Sequence, residues 1–177
     1  MESRVEELRS LQRLVGGPAA PLERQAERGV RVRDGQVVPV LHAGDGSSVV
    51  GLVSAACHVV RASGQLQLLG LDAEARAVVQ QWAEYAVALE QGNKDSLRTA
   101  LRELNDYLAD RVFIVGNDLT LADIMLYHRL HPVLAALCVQ EREQHVSVCR
   151  WFDNVQRWPR VRQHLPMLVI LRNKIYS

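Results

Sequence analysis

Apolar residues recur at three- and four-residue intervals from the start of the chain. Val5, Leu8, Leu11, Leu14 and Val15 mark one face of an amphipathic helix over residues 2–15. Gly16, Gly17, Pro18 and Pro21 end it. Residues 22–35 are polar, rich in Arg and Glu, and read as a loop. The run Val37-Val38-Pro39-Val40-Leu41 has β character, and Pro39 cannot donate to a ladder, which predicts an edge strand, a strand start or a bulge. Gly44-Asp45-Gly46 signals a turn, with Ser48-Val49-Val50 as a candidate return strand.

Helical spacing resumes from Leu52 to Val60, with Gly64 closing that helix and Leu66 to Leu71 as a connector. From Asp72 onward every strong signal is helical. Asp72 is a candidate N-cap for a helix running to about Gln91, with Val78, Val79, Trp82, Tyr85, Ala86 and Leu89 as its buried face. After a Gly92-Asn93 break, Leu97, Leu101, Leu104 and Leu108 predict a helix over Lys94–Ala109. Further helices are expected near 120–137, 146–157 and 160–165, and the tail 167–175 is apolar with a basic end. The pattern divides the chain into an α/β lobe over 1–63, a linker over 64–71 and an all-α lobe over 72–177. A lobe of about 65 residues buries little surface alone and is expected to lean on its neighbour.

Composition narrows the function classes. The 177 residues carry 21 basic and 20 acidic side chains, a net charge of +1. Strong direct nucleic-acid binding is not expected, because phosphate contacts usually demand a basic surplus. The odd set Cys57, Cys138 and Cys149, without a CxxC pair, argues against a disulfide framework or zinc site and suits a reducing compartment. The charged N-terminus lacks the apolar core of a secretory signal, and no membrane-spanning run occurs. No tract is basic enough for a nuclear localisation signal.

The most informative local motif is Leu119-Thr120-Leu121-Ala122-Asp123-Ile124. Thr120 and Asp123 have the spacing of a capping box, and Leu119 with Ile124 that of a hydrophobic staple. Met125, Leu126, Leu130, Val133 and Leu134 then make the helix apolar on most sides, as in the middle of a bundle.

That motif, with Val38-Pro39 ahead of an all-helical second half, resembles the glutathione-transferase superfamily. The resemblance implies an α+β chain: a reduced thioredoxin-like N-terminal lobe and a helical lobe like the transferase C-terminal domain, with Pro39 before the third strand. Four segments in order narrow it: Ala77–Tyr85, Leu104–Leu108, Leu119–Ile124 and Val148-Cys149-Arg150-Trp151-Phe152. With Val161-Arg162-Gln163-His164-Leu165, they resemble the transferase-like scaffold subunits of the multi-aminoacyl-tRNA synthetase complex, over about residues 36–176.

An active glutathione transferase needs a Tyr, Ser or Cys after its first strand and an acidic or Gln residue before Ser at the third helix. No Tyr or Cys precedes Cys57, Ser3 and Ser10 lie in a predicted helix, and Gly51-Leu52 stands at the γ-glutamyl position. Leucine cannot hydrogen-bond a carboxylate, so no catalytic residue and no cofactor are expected. His128 and His131 lack a third ligand at a sensible spacing, so no metal is expected either. Cys149 beside Arg150 is either a lowered-pKa thiol or a packed one.

The resemblance implies a non-catalytic adaptor with two docking patches. The first draws on Leu52, Val53, Ala56 and Val60 with Val79, Gln80 and Ala83; the alternative is that Leu52 and Val53 pack inside the small lobe. The second centres on Arg150, whose alternative is an internal salt bridge to Asp153 or Glu141. Implied partners are methionyl-tRNA synthetase, glutamyl-prolyl-tRNA synthetase, other scaffold subunits of the complex and the elongation factor 1 complex. A cytoplasmic protein with a nuclear pool and a link to DNA-damage signalling comes from the resemblance alone. Competing readings are an active glutathione-dependent transferase and a direct tRNA- or elongation-factor-binding module.

Overall fold

The computed structural model describes residues 2–16, 22–23, 40–42, 48–89 and 92–170. Helix α1 spans Glu2–Val15 and buries Leu8, Leu11 and Val15, the inner stripe set by its spacing. A three-stranded antiparallel sheet follows, made of β1 (Leu22–Glu23), β2 (Val40–His42) and β3 (Ser48–Val50) in the order β1-β2-β3. Leu22 pairs with Leu41, and Val40, Leu41 and His42 pair with Val50, Val49 and Ser48. The hairpin pairing is the expected one. Leu22 and Glu23, read as loop, are instead a strand: their pairing comes from a neighbour about twenty positions on, which local polarity does not reveal. Val37, Val38, Pro39 and the turn 44–46 lie outside the described residues.

Helix α2 (Leu52–Ser63) starts directly after β3 at Gly51, whose φ of 102° strongly favours glycine. A 3₁₀ turn over Leu66–Leu69 leads to α3 (Ala73–Leu89). Asp72 caps α3, its Oδ1 accepting from the Ala75 N–H at 2.7 Å. Gly70 lets the chain pass against the start of α3, since a Cβ there would meet Arg76 N at 2.7 Å. Helix α4 (Lys94–Tyr107) is capped by Asn93, which accepts from the Ser96 N–H at 2.8 Å.

Helix α5 (Leu121–Ala136) is the bundle's centre, packed on α3 and α7, with Leu121, Ala122, Leu126, Tyr127 and Leu134 fully buried. The short α6 (Val139–Glu143), not expected from the sequence, and α7 (Val146–Arg157) complete it. No helix forms at 160–165. Trp158 is extended ahead of Pro159, and Arg160 and Gln163 have positive φ, so the segment runs as turns. One apolar core runs from Leu8 and Leu41 through Leu52 and Val60 to Ile124, Phe152 and Val161. A part-buried ion pair, Arg129 to Glu7 at 3.3 Å, also ties α1 to α5. Among the described residues no helix is long and apolar enough to span a membrane.

Candidate docking surfaces

The start of α5 is anchored by a buried carboxylate beside α7. Both halves of the capping box are present between Thr120 and Asp123. Asp123, fully buried, accepts from the Thr120 N–H (3.0 Å) and hydroxyl (2.7 Å) on Oδ2. Its Oδ1 accepts from the Ile114 N–H and the Trp151 indole N–H, both at 2.8 Å. Burial pushes the carboxyl pKa up, and the hydrogen bonds from Ile114, Trp151 and Thr120 oppose it. Asp123 thus joins α5, α7 and the loop before α5 at one point. Spacing predicted the cap; the indole and the Ile114 amide come from chain distances it cannot see.

On α2 and α3, six of the seven expected contact residues are core. Leu52, Val53, Ala56, Val60, Val79 and Ala83 are each at most 5% exposed. They form the inner stripes of the two helices, with Leu52 and Ala56 packed toward Leu8 and Leu11 of α1, and internal packing, the alternative for Leu52 and Val53, is the observed one. Such side chains cannot meet a partner while the chain keeps this fold. Gln80 alone of the set is exposed. The outward face of this pair instead presents Ser54 and Arg61 from α2 and Gln80, Gln81 and Glu84 from α3, beside the 44% exposed Val50 of the adjoining strand. Half-buried Cys57 sits within it. Burial raises its thiol pKa, and Arg61 and Glu84 act on it in opposite directions. The polar positions at helical spacing on α3 were the available signal for this face.

Arg150 is exposed on α7, and its described hydrogen bonds go to backbone carbonyls rather than to Asp153 or Glu141. Its Nη2 donates to the carbonyls of Leu108, Ala109 and Arg111. These belong to the C-cap of α4 and the turn after it, at the end where the helix dipole favours a cation. Asp153 pairs with Arg157 at 3.2 Å, and Glu141 accepts from the Cys138 N–H at 2.9 Å. Next to this clamp, Val112 and Trp158 are 58% and 43% exposed, and the Trp158 ring stands edge-on to Phe113 at 5.9 Å. Sequence reasoning missed both as surface residues. Trp151 and Phe152 are buried anchors, as the sequence suggested.

Of the remaining reactive groups, Cys138 is exposed and Cys149 is packed. Cys149 is buried, its Sγ donates to the Arg142 carbonyl, and burial raises its pKa, which favours the packed reading. His131 Nε2 lies 2.8 Å from the Pro166 carbonyl oxygen. His128 stacks against His164 with ring centroids 6.5 Å apart. Its pKa is lowered to about 4 by burial first, then by His164, His131 and Arg129, against a hydrogen bond to the Val161 backbone. No cluster of three or more metal-ligating side chains occurs among the described residues.

Comparison with known proteins adds to this picture. The family model described as "Nuclear-export cofactor Arc1p" matches residues 75–158. The chain is 43% identical over 142 residues to human "Eukaryotic translation elongation factor 1 epsilon-1", covering 79% of this chain and 82% of that protein. Its identity to the Mus musculus protein of that name is 40% over 174 residues, covering 97% and 95%. The Drosophila melanogaster "Bifunctional glutamate/proline--tRNA ligase" matches 62% of this chain at 28% identity, over 6% of its own length. Among solved structures, a Vibrio parahaemolyticus glutathione S-transferase of class Gtt2 superposes with a TM-score of 0.69 at 18% identity, covering 91% and 92%. The glutathione-transferase-like domain of elongation factor 1-gamma from Saccharomyces cerevisiae gives 0.65 at 18%, covering 90% and 87%. These two likenesses establish a glutathione-transferase-like fold.

Proposed function

Since the chain belongs to the family of eukaryotic translation elongation factor 1 epsilon-1 proteins, we propose that it is a non-catalytic adaptor of aminoacyl-tRNA synthetases. The observation that carries this is the near full-length likeness to a named translation factor, alongside matches to a glutamate/proline-tRNA ligase and to a tRNA-aminoacylation cofactor. The start of α2 supports the absence of glutathione chemistry. Leu52 there is buried in the chain's own core and offers no polar group to a γ-glutamyl carboxylate.

In this reading the partners are the transferase-like domains appended to methionyl-tRNA synthetase and glutamyl-prolyl-tRNA synthetase, with other scaffold subunits and the elongation factor 1 complex nearby. One partner docks on the outward face of α2 and α3, through Gln80, Gln81, Glu84 and Arg61. The other docks at Arg150, Val112 and Trp158. Arg150 holds α4 with Nη2, and its other N–H groups are available for a carboxylate across an interface. Two separate faces let one subunit bridge two enzymes and raise their effective concentration. The same reading carries a cytoplasmic site of action and a nuclear pool linked to DNA damage, which fractionation before and after damage tests.

Size-exclusion chromatography with light scattering, on the chain alone and mixed with the methionyl-tRNA synthetase domain, is the direct experiment. A 1:1 complex weakened by Arg61→Glu or by Arg150→Ala assigns the face. A homodimer that ignores the synthetase domain and is retained on immobilised glutathione overturns the adaptor reading.

A further inference from the structure

Helices α3 and α4 diverge from the turn at Gly92-Asn93 and leave an open groove of about 520 Å³ between them. Its floor is apolar: Leu89 and Ala100 are buried, and Leu97 is half-buried. One wall is the ring of Tyr85, held edge-on to Trp82 at 5.3 Å, which itself packs on Tyr107 at 4.7 Å. Two carboxylates, Glu103 and Asp95, stand exposed on the rim, and the described lining residues include no cation. Arg98 reaches Asp95 only at 4.0 Å, with both side chains more than half exposed, a pair too weak to neutralise that side of the groove.

We propose that this groove is a third docking site, taking a lysine or arginine side chain carried on an apolar segment of a partner protein. The volume falls in the range of specific ligand sites, while the open mouth suits an entering peptide segment better than an enclosed small molecule. The apolar floor rewards burial of aliphatic side chains. The Tyr85 ring, close enough to Glu103 for that carboxylate to act on its hydroxyl, pairs an aromatic face with a negative charge, the combination that favours a cation. An acidic or neutral segment gains nothing at the rim, and an acidic one is repelled. The groove uses none of the residues assigned to the other two faces, so a third partner can bind beside them.

The test uses the full chain and a synthetic amphipathic peptide of leucine and lysine, with its leucine and glutamate counterpart as control. Binding is read from the Trp82 indole resonance and by calorimetry. Saturable binding of the lysine peptide is expected, with the Trp82 resonance shifting and little binding of the glutamate peptide. Glu103→Lys reverses the rim charge and is expected to weaken binding about tenfold. Thr99→Trp, at an exposed lining position, fills the groove and abolishes it; melting curves of both variants confirm that the fold is intact. Equal binding of both peptides, or affinity unchanged in both variants, overturns the proposal. So does self-association of the chain through the groove that the lysine peptide cannot displace.

Discussion

Asp123 shows how much a single side chain can carry here. Its two oxygens take four donations from Thr120, Ile114 and Trp151 inside the protein. Asp123→Ala removes all four acceptor contacts and strands buried donors, so a loss of about 3 kcal/mol or more is expected in urea unfolding. Asp123→Asn keeps the shape but turns an amide NH₂ toward two of the donors, and it is expected to be nearly as damaging. His128 makes a distinct prediction. Its pKa falls from 6.5 in the unfolded chain to about 4 in the folded one, so between those values the unfolded state binds the extra proton. Stability contributed by the neutral imidazole is therefore present above pH 6.5 and lost as pH falls toward 4, by at most about 1.4 kcal/mol per pH unit. Asp123 has the opposite sign, because its raised pKa makes the folded state hold a proton longer. Comparing His128→Gln with the parent at each pH cancels that contribution, and the variant is expected to show the shallower decline.

At the scale of elements, helix ends are tied across the bundle by single side chains. Asn105 on α4 accepts from the Ser147 N–H at 2.9 Å and the Val148 N–H at 3.4 Å, supplying from outside the cap that α7 lacks in its own sequence. Asn105→Ala is expected to cost about 1 kcal/mol, checked by the midpoint of denaturant unfolding. Arg150 does the reverse service for the carboxyl end of α4. Arg150→Ala is therefore expected to lower stability by about 1–2 kcal/mol as well as to weaken partner binding. Arg150→Lys can restore part of the carbonyl contact but not the planar fork, so it is expected to rescue stability more than affinity. That split separates the structural role from the docking role.

Across the whole molecule, the apolar core has no gap between the sheet lobe and the helical lobe. Helix α1 packs on α2, and the Glu7–Arg129 pair links α1 to the central helix of the bundle. One cooperative unfolding transition is expected, with far-UV circular dichroism and tryptophan fluorescence coinciding even though all three tryptophans lie in the helical lobe. Leu8→Ala is expected to cost about 2–5 kcal/mol of stability, the ordinary range for a core leucine, lowering that single midpoint rather than melting the first lobe alone.

Helices α1 to α5 and α7, the caps at Asp72 and Thr120, the break at Gly92-Asn93 and the buried α5 were legible in the sequence, because each depends on residues within one or two turns of one another; the short α6 and the turns at 160–165 were not. The α+β transferase-like fold class followed from the same local signals joined to the quoted segments. The candidate contact residues were harder. Apolar spacing marks a helix face but does not say whether that face meets the chain's own core or another molecule, and α1 settles it by covering Leu52 and Ala56. The short strand at Leu22–Glu23, the clamp of Arg150 on α4 and the exposure of Trp158 and Val112 are likewise decided by residues distant along the chain. Local chemistry determines which elements form. Only the packed structure decides which of their polar groups are already satisfied and which apolar ones remain open to a partner.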